Sequence, residues 1–431
     1  MIFTISFILL FLLLCINKFC CKDKMCNIII NIHSVWWVLL IFLSKLNLYS
    51  LNDVSTYTYS LIISYIISIN IGYLVANSFF KEDNVCLVGK CIVKNLAYYT
   101  NNVKMNLLLI VMIIVSSTIL HRFIGIILMS SFSDAHFARL STELFGSPLM
   151  MILYNNLIIP FSLFSMILFC FLLLKQNYNF CFFLLCVFIS IVFCIGFGKN
   201  MILMLLLQLF FISLIMYKVD LRSLVGEYKS NFIIVKKLMG LGTFLIFITL
   251  LFSASRETGD FTAVFLNLEE SFNNFMNETV IYMVGPFRAL DYAVHNPPFL
   301  EHLGGITYGN SSIMGIDKLF DWIFSLVGIE YNSSYCLLYT SDAADERSFR
   351  FVGVIIIPFF VGFILRFLIH KFNKYPSVPI FALIIFILMC CIMGFFNWEL
   401  SKPGPFAYCL YLIYFHYTFL VCKKIKRKVY K

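Results

Sequence analysis

The sequence predicts an all-α fold: a polytopic bundle of transmembrane helices, about eleven in number, with one large and partly helical external loop. Hydrophobic residues make up 61% of the 431 positions and charged residues only 13%, which is far from the composition of a soluble globular domain. Apolar runs long enough to cross ~30 Å of hydrocarbon recur along the chain. They are predicted to be helices because lipid offers no partner for exposed backbone groups, and because they are too uniformly apolar for barrel strands.

The predicted spans follow one another in two blocks. They cover residues 2–17, 28–44, 58–78, 105–120, 149–174, 179–197, 200–217 and 237–253, and then 351–369, 378–396 and 404–422. The first eight belong to a transmembrane bundle, 1–253; the large external loop is 254–350; and 351–431 holds the last three spans and a basic tail. No basic residue precedes the first apolar run, so we expect a retained span and not a cleaved signal peptide.

The basic residues predict the orientation of the bundle. Of the 32 lysines and arginines, 22 fall in loops, span ends and a tail that alternation places on one side, and the positive-inside rule assigns that side to the cytoplasm. The N-terminus is then outside and the C-terminus inside. The formal net charge of +10 is therefore a topology signal, and we expect no nucleic-acid partner.

The large external loop has helical patterns with apolar residues three to four apart, so we expect a small folded cap over the membrane domain. One stretch of this loop does not look like native protein sequence. Residues Cys336 to Glu346, CLLYTSDAADE, back-translate into a string that resembles a transposase-derived sequencing adapter. We interpret 336–346 as an artefact that replaces or splits the native loop, and we assign no chemistry to its carboxylates.

A few cations stand out on the acidic external side. They are Arg122 after span four, Arg139, Lys199 in the turn GFGKN, Arg256 in LLFSASRETGD after span eight, and Arg288. Guanidinium groups bind phosphate oxygens at two points and lysine acts as a point charge, so such a cluster could hold a lipid-linked pyrophosphate. Alternatively, these residues mark span ends or pair with neighbours such as Glu257.

Candidate proton acceptors lie close to Arg288. His295 and His302 flank the NPPFL turn near Asp291, so either histidine or the carboxylate could accept a proton, although surface-loop histidine is the plainer interpretation. The histidines and cysteines show no metal-ligand spacing, and the external side has no DxD pair. We therefore expect no metal and no other cofactor.

The stretch YMVGPFRALDYAVHNP resembles the Y-x-x-G-P-x-x-x-x-D-x-Y motif of oligosaccharide repeat-unit polymerases, which make O-antigen and capsular polysaccharide. Its matching residues are Tyr282, Gly285, Pro286 and Asp291, with Tyr292 one position early. Two further residues fit the family: Lys199, a cation in a short turn, and Arg256, an arginine at the entry to the large loop. At the position of Lys199 the family more usually has arginine. The resemblance covers roughly residues 197–396.

The resemblance implies a metal-independent glycosyltransferase of the cell envelope, located in the inner, cytoplasmic membrane of a bacterium. The donor would be a growing glycan on undecaprenyl pyrophosphate and the acceptor one lipid-linked repeat unit, with a chain-length regulator and a flippase as candidate partners. Arg256, Arg288, Lys199 and Arg122 would bind the pyrophosphate, and Asp291 or His295 would activate the acceptor hydroxyl. Two alternatives stay open. An O-antigen ligase uses the same donor with a lipopolysaccharide core as acceptor, and a polysaccharide or lipid transporter carries the substrate without changing it.

Overall fold

In a computed structural model of the chain, the described residues are 92% helical and none of them forms a strand. These residues are 2–20, 24–46, 53–80, 99–129, 144–174, 177–196, 204–212, 351–393 and 407–417, with 273, 277, 281, 283–288, 290, 291 and 295 from the large loop. Five helices in these ranges are long and apolar enough to cross a membrane. The predicted class, a helical membrane protein, is confirmed, whereas the count of about eleven spans and the orientation stay predictions.

Helices form where the apolar runs predict them. They are α1 (Ile2–Cys20), α2 (Lys24–Lys45), α3 (Thr56–Phe79), α4 (Val103–Met129), α5 (Pro148–Leu174), α6 (Phe180–Gly196), α7 (204–212), α8 (Phe351–Lys374), α9 (Val378–Met393) and α10 (407–417). Within α5, Tyr154–Ile158 form a π-helical turn. The predicted span 237–253 and the adapter-like residues 336–346 lie outside the described residues.

The chain divides into two compact units. Unit 1 consists of Met1–Val85, Glu278–Pro376 and Phe386–Phe406, and unit 2 of Cys86–Asn277, Ser377–Ile385 and Ala407–Lys431. Unit 1 therefore combines the first three helices with α8 and with the part of the large loop that carries Arg288.

Helices α3 and α8 of unit 1 run side by side in the same direction. Ser68 donates a hydrogen bond to the Ile355 carbonyl near the start of the contact, and Arg366 Nε donates to Asn77 Oδ1 (2.7 Å) near its end. Two glycines bring the backbones together, because a methyl group at Gly72 would overlap the Phe359 carbonyl and one at Gly362 would overlap that of Ile69. Small residues are what close helix packing in a membrane requires.

Polar side chains join α1, α2 and α3. Asn17 Nδ2 donates to Asn31 Oδ1 (3.0 Å) and to Asn70 Oδ1 (3.1 Å), and Asn70 Nδ2 donates to Ser34 Oγ (3.0 Å). Asn17, Ser34 and Asn70 are fully buried. Hydrogen bonds between helices in an apolar bundle stabilise their association by roughly 0.6–2 kcal/mol each, so this network specifies which faces of the three helices meet.

Part of the large loop belongs to the core of unit 1. Residues 283–288, 290 and 291, called the loop segment below, are helical, and Val284, Phe287 and Leu290 are buried. Phe287 and Leu290 join an apolar cluster built by α1, α2 and α3, in which the Phe287 ring lies 6.3 Å from the Trp37 ring. Apolar residues at this spacing line one face of a helix. The loop segment thus packs against α1, α2 and α3, and a folded cap formed by the large loop as a whole stays a prediction.

Unit 2 contains α4, α5, α6, α7 and α10. Helix α6 packs against both α4 and α5, and aromatic rings such as Phe161 and Phe188, which are tilted against each other with their centroids 5.5 Å apart, lie in the contact between α5 and α6. The Ser147 side chain accepts a hydrogen bond from Met150 N (3.3 Å) and so caps the start of α5. Gly146, just before this cap, has a φ of 64°, a left-handed conformation that favours glycine.

Candidate functional site

The candidate site lies where α2 ends and α3 begins. The last residues of α2 are Ser44 and Lys45, and Ser55 is the N-cap of α3, with extended backbone and a side chain that accepts a hydrogen bond from Thr58 N (3.2 Å). Serine is a favoured N-cap because its oxygen satisfies an amide that has no partner in the first helical turn. The loop segment packs against these two helix ends and brings Arg288 and Asp291 to them.

Arg288 is fixed by hydrogen bonds to the end of α2. Its Nη1 donates to Ser44 Oγ (3.0 Å) and to the Val284 carbonyl (2.9 Å), and its Nη2 donates to the Ser44 carbonyl (3.0 Å). Partial burial lowers the pKa of the guanidinium, while the nearby Tyr59 and Asp53 act in the opposite direction. These hydrogen bonds to three oxygens hold the guanidinium in a defined position.

Asp291 holds the loop segment against the start of α3. Its Oδ1 accepts hydrogen bonds from Ser55 N (3.0 Å) and from Thr58 Oγ1 (2.6 Å). Burial by itself would raise the pKa of this carboxyl, but the hydrogen bonds from Ser55 and Thr58 outweigh it, and the pKa is lowered. A carboxylate held in this way is a weak base, so the geometry favours a positioning role for Asp291.

His295 has the geometry of a proton acceptor. Its Nδ1 lies 2.8 Å from the Asp291 backbone carbonyl, and because a carbonyl only accepts, Nδ1 is the donor in this contact. In the neutral ring the lone pair is then on Nε2. The side chain is 49% exposed, against 22% for Asp291, so it is the more accessible of the two groups. The Tyr57 ring meets the His295 ring edge-on at 6.3 Å and limits its orientation.

The structure therefore brings together three of the predicted residues, Arg288, Asp291 and His295. Their spacing of three and four residues indicates one face of a helix, a signal visible in the sequence. Ser44, Thr58 and Tyr59 also belong to the site and were not predicted. Ser44 and Arg288 are 244 positions apart, and no pattern in the sequence connects them.

Other predicted residues are placed differently or lie outside the described residues. Arg122 belongs to α4 in unit 2, where its guanidinium packs against Gly146 so closely that a methyl group there would overlap it. Gly285 and Pro286 lie in the loop segment, and Gly285 has room for a methyl group, with Ile281 Cγ2 the nearest atom at 3.8 Å. Lys199, Arg256, Tyr282 and Tyr292 lie outside the described part of the chain.

The fold and the site define the protein as an α-helical membrane protein with a cation, a carboxylate and a histidine where two helices of unit 1 meet the loop segment. In the part of the chain that the structure describes, no three or more His, Cys, Asp or Glu side chains lie close enough together to hold a metal ion. Comparison with known proteins gives no match to a family model, to a curated protein or to a solved structure.

Proposed function

We propose that the protein is a membrane glycosyltransferase that polymerises lipid-linked oligosaccharide repeat units at the outer face of a bacterial cytoplasmic membrane. The observation that supports this most is the fixed Arg288 guanidinium, seven residues before the half-exposed His295 on one helical face. The donor is a glycan on undecaprenyl pyrophosphate, as the resemblance of the Tyr282 to Pro297 stretch to repeat-unit polymerases implies.

The reaction requires charge stabilisation and one proton transfer. The hydroxyl oxygen of the acceptor sugar attacks the anomeric carbon of the donor, the bond from that carbon to the pyrophosphate oxygen breaks, and the electron pair leaves with the pyrophosphate. Arg288 stabilises the negative charge that develops on the leaving group, which a cation fixed in advance can do without reorganisation. His295 Nε2 takes the proton of the attacking hydroxyl. Asp291 keeps the loop segment in register with α3.

The remaining predicted cations complete the proposal. Arg256 and Lys199 are expected to contribute to pyrophosphate binding, as the resemblance implies, and Arg122 is a further candidate. Arg122 is the weakest of these candidates because its guanidinium already packs closely against Gly146. Because the external side is otherwise acidic, an anionic lipid is expected to bind only where these few cations lie.

Glycan ladders from a deletion strain complemented with the gene test the proposal. Since residues 336–346 resemble adapter sequence, the strain carries the chain with the resequenced genomic codons 330–355, beside the chain as printed. We expect long glycans with the intact chain, and single-repeat material alone with Arg288→Ala. Loss of all attached glycan in the deletion strain would indicate a ligase or a flippase instead.

The matched control is Lys374→Gln, which removes an exposed cation from the last turn of α8. This end of α8 lies at the end of α3, whereas Arg288 lies near the start of α3, because the two helices run in parallel. We expect normal ladders from Lys374→Gln and equal amounts of both variants in the membrane. Normal ladders from Arg288→Ala would remove this residue from the reaction.

A further inference from the structure

Lys45 is a cation of the site that the sequence did not single out. It is the last residue of α2, is exposed, and its Nζ lies 5.0 Å from the centroid of the Tyr59 ring. The Tyr59 hydroxyl is hydrogen-bonded to Ser44 Oγ at 3.0 Å. A lysine at the C-terminus of a helix is favoured by the helix dipole, and an ammonium group over an aromatic ring gains a further attraction.

Ser44 connects this ammonium group to Arg288. The guanidinium donates to the Ser44 side chain and to the carbonyl of the Ser44–Lys45 peptide bond. Tyr59 contacts both residues, since the Lys45 ammonium lies over its ring and its hydroxyl is hydrogen-bonded to Ser44. The Arg288 guanidinium therefore binds Ser44, the ammonium group belongs to the next residue, Lys45, and Tyr59 contacts both residues at this helix end.

The charges nearby require more than one cation if an anion is to bind. Asp53 acts on Arg288 electrostatically, and Asp291 is three residues away from it in the loop segment. With Arg288 alone, these two carboxylates leave the surroundings without a net positive charge. Lys45 offsets the second carboxylate, so that the formal charges of the four groups cancel and an approaching phosphate does not meet a net negative charge.

We propose that Lys45 is the second cation of the donor site, so that Arg288 and Lys45 together hold the two phosphates of a polyprenyl pyrophosphate. This inference rests on the proposed function and adds a binding residue to it. Arginine supplies a planar two-point contact and lysine a mobile point charge, a combination suited to two linked phosphates. The site should then prefer a pyrophosphate over a monophosphate with the same lipid chain.

Binding of undecaprenyl pyrophosphate and undecaprenyl monophosphate to the purified full chain in zwitterionic nanodiscs tests the proposal. We expect the wild type to prefer the pyrophosphate, and Lys45→Gln to weaken pyrophosphate binding about tenfold or more with little change for the monophosphate. Lys45→Arg should stay within about threefold of the wild type. A merely structural role for Lys45 would weaken both ligands equally, or neither, and would overturn the inference.

The control is Lys374→Gln. Lys374 lies 5.7 Å from the Tyr375 ring centroid, so it has the same kind of contact with tyrosine at the opposite end of unit 1, and its removal should change neither affinity. If Lys45→Gln melts early, Lys45→Met keeps the apolar stem over Tyr59 and gives the same comparison. A wild type that binds neither lipid contradicts the proposed function itself. A wild type that prefers the pyrophosphate, with Lys45→Gln and Lys45→Met unchanged, contradicts only the role of Lys45.

Discussion

Asp291 and His295 have different surroundings although they are one helical turn apart. The carboxylate accepts two hydrogen bonds from α3, whereas the imidazole is half exposed and is oriented by the Asp291 backbone carbonyl. From the sequence, either residue could activate the acceptor hydroxyl, because reach and hydrogen bonding cannot be judged from spacing. At the scale of single residues, the geometry therefore separates a positioning residue from a candidate base.

The pH dependence of stability checks the role of Asp291. A carboxylate whose folded pKa is lowered contributes stability that is fully present above its ordinary pKa of 3.8 and is lost as the pH falls through the folded value. Asp291→Asn should therefore reduce stability at pH 7 by about 1 kcal/mol, since a neutral amide accepts weaker hydrogen bonds. The deficit should shrink below pH 3.8 in thermal melts of the detergent-solubilised protein.

A double-mutant cycle controls for indirect effects of Asp291→Asn. Thr58→Val removes the hydroxyl that donates to the same oxygen, so the two substitutions should be less than additive when combined. Full additivity would show that Asp291 stabilises the fold by another route.

His295→Gln checks the proposed base. Glutamine cannot accept a proton at neutral pH, so we expect the rate of chain extension to fall by a factor of about 10²–10⁴. The melting temperature should be unchanged, because the side chain is half exposed. A single-turnover assay with lipid-linked repeat units measures the rate, and an unchanged rate would exclude His295 as the base.

At the scale of helices, hydropathy predicts where each described helix lies along the chain better than it predicts the residues at which the helix begins and ends. The apolar pattern predicts the third span at 58–78, and α3 is Thr56–Phe79; it predicts that the fourth span ends at 120, but α4 continues to Met129. The reason is the apolar run FIGIILM after His121 and Arg122, which keeps the segment helical beyond the two polar residues. Contacts between distant helices, such as that of Ser44 with Arg288, depend on packing that hydropathy does not encode.

The contact between α3 and α8 predicts that Gly72→Ala is destabilising. Because the new methyl group would overlap the Phe359 backbone, α3 and α8 would have to separate, and we expect a loss of about 1–3 kcal/mol. Gly125→Ala in α4 is the matched control, since no described atom beyond the neighbouring backbone of α4 lies within 4 Å of where its methyl group would be. Thermal melts compare the two variants, and equal melting temperatures would show that α3 and α8 are not closely packed.

At the scale of the whole molecule, membrane topology decides whether the site can reach the proposed substrate. Residues 53–55 precede α3 at the end of unit 1 that carries Arg288, and Tyr375 follows α8 at the opposite end. The distribution of lysine and arginine predicts that the first end is external and the second cytoplasmic. This prediction concerns the side of the membrane, which helix packing does not determine.

Reporter fusions check the topology. We expect alkaline phosphatase to be active when fused after Asp53 and inactive when fused after Tyr375, with the reverse pattern for a fluorescent protein that folds only in the cytosol. Expression of each fusion is verified by immunoblotting, so that a missing signal is not mistaken for a location. A fluorescent fusion after Asp53 would place Arg288 in the cytosol, where the proposed reaction has no substrate.

Arg366 bears on the order in which the protein is assembled. Its buried guanidinium donates to Asn77 Oδ1 and to the Phe80 carbonyl (3.2 Å), both at the end of α3. A bare arginine in hydrocarbon is costly, so α8 gains these acceptors only by pairing with α3. Since α3 is translated almost three hundred residues earlier, it can already be in the bilayer and bind α8 when α8 leaves the ribosome. We therefore expect stable membrane insertion of α8 to depend on the earlier insertion of α3.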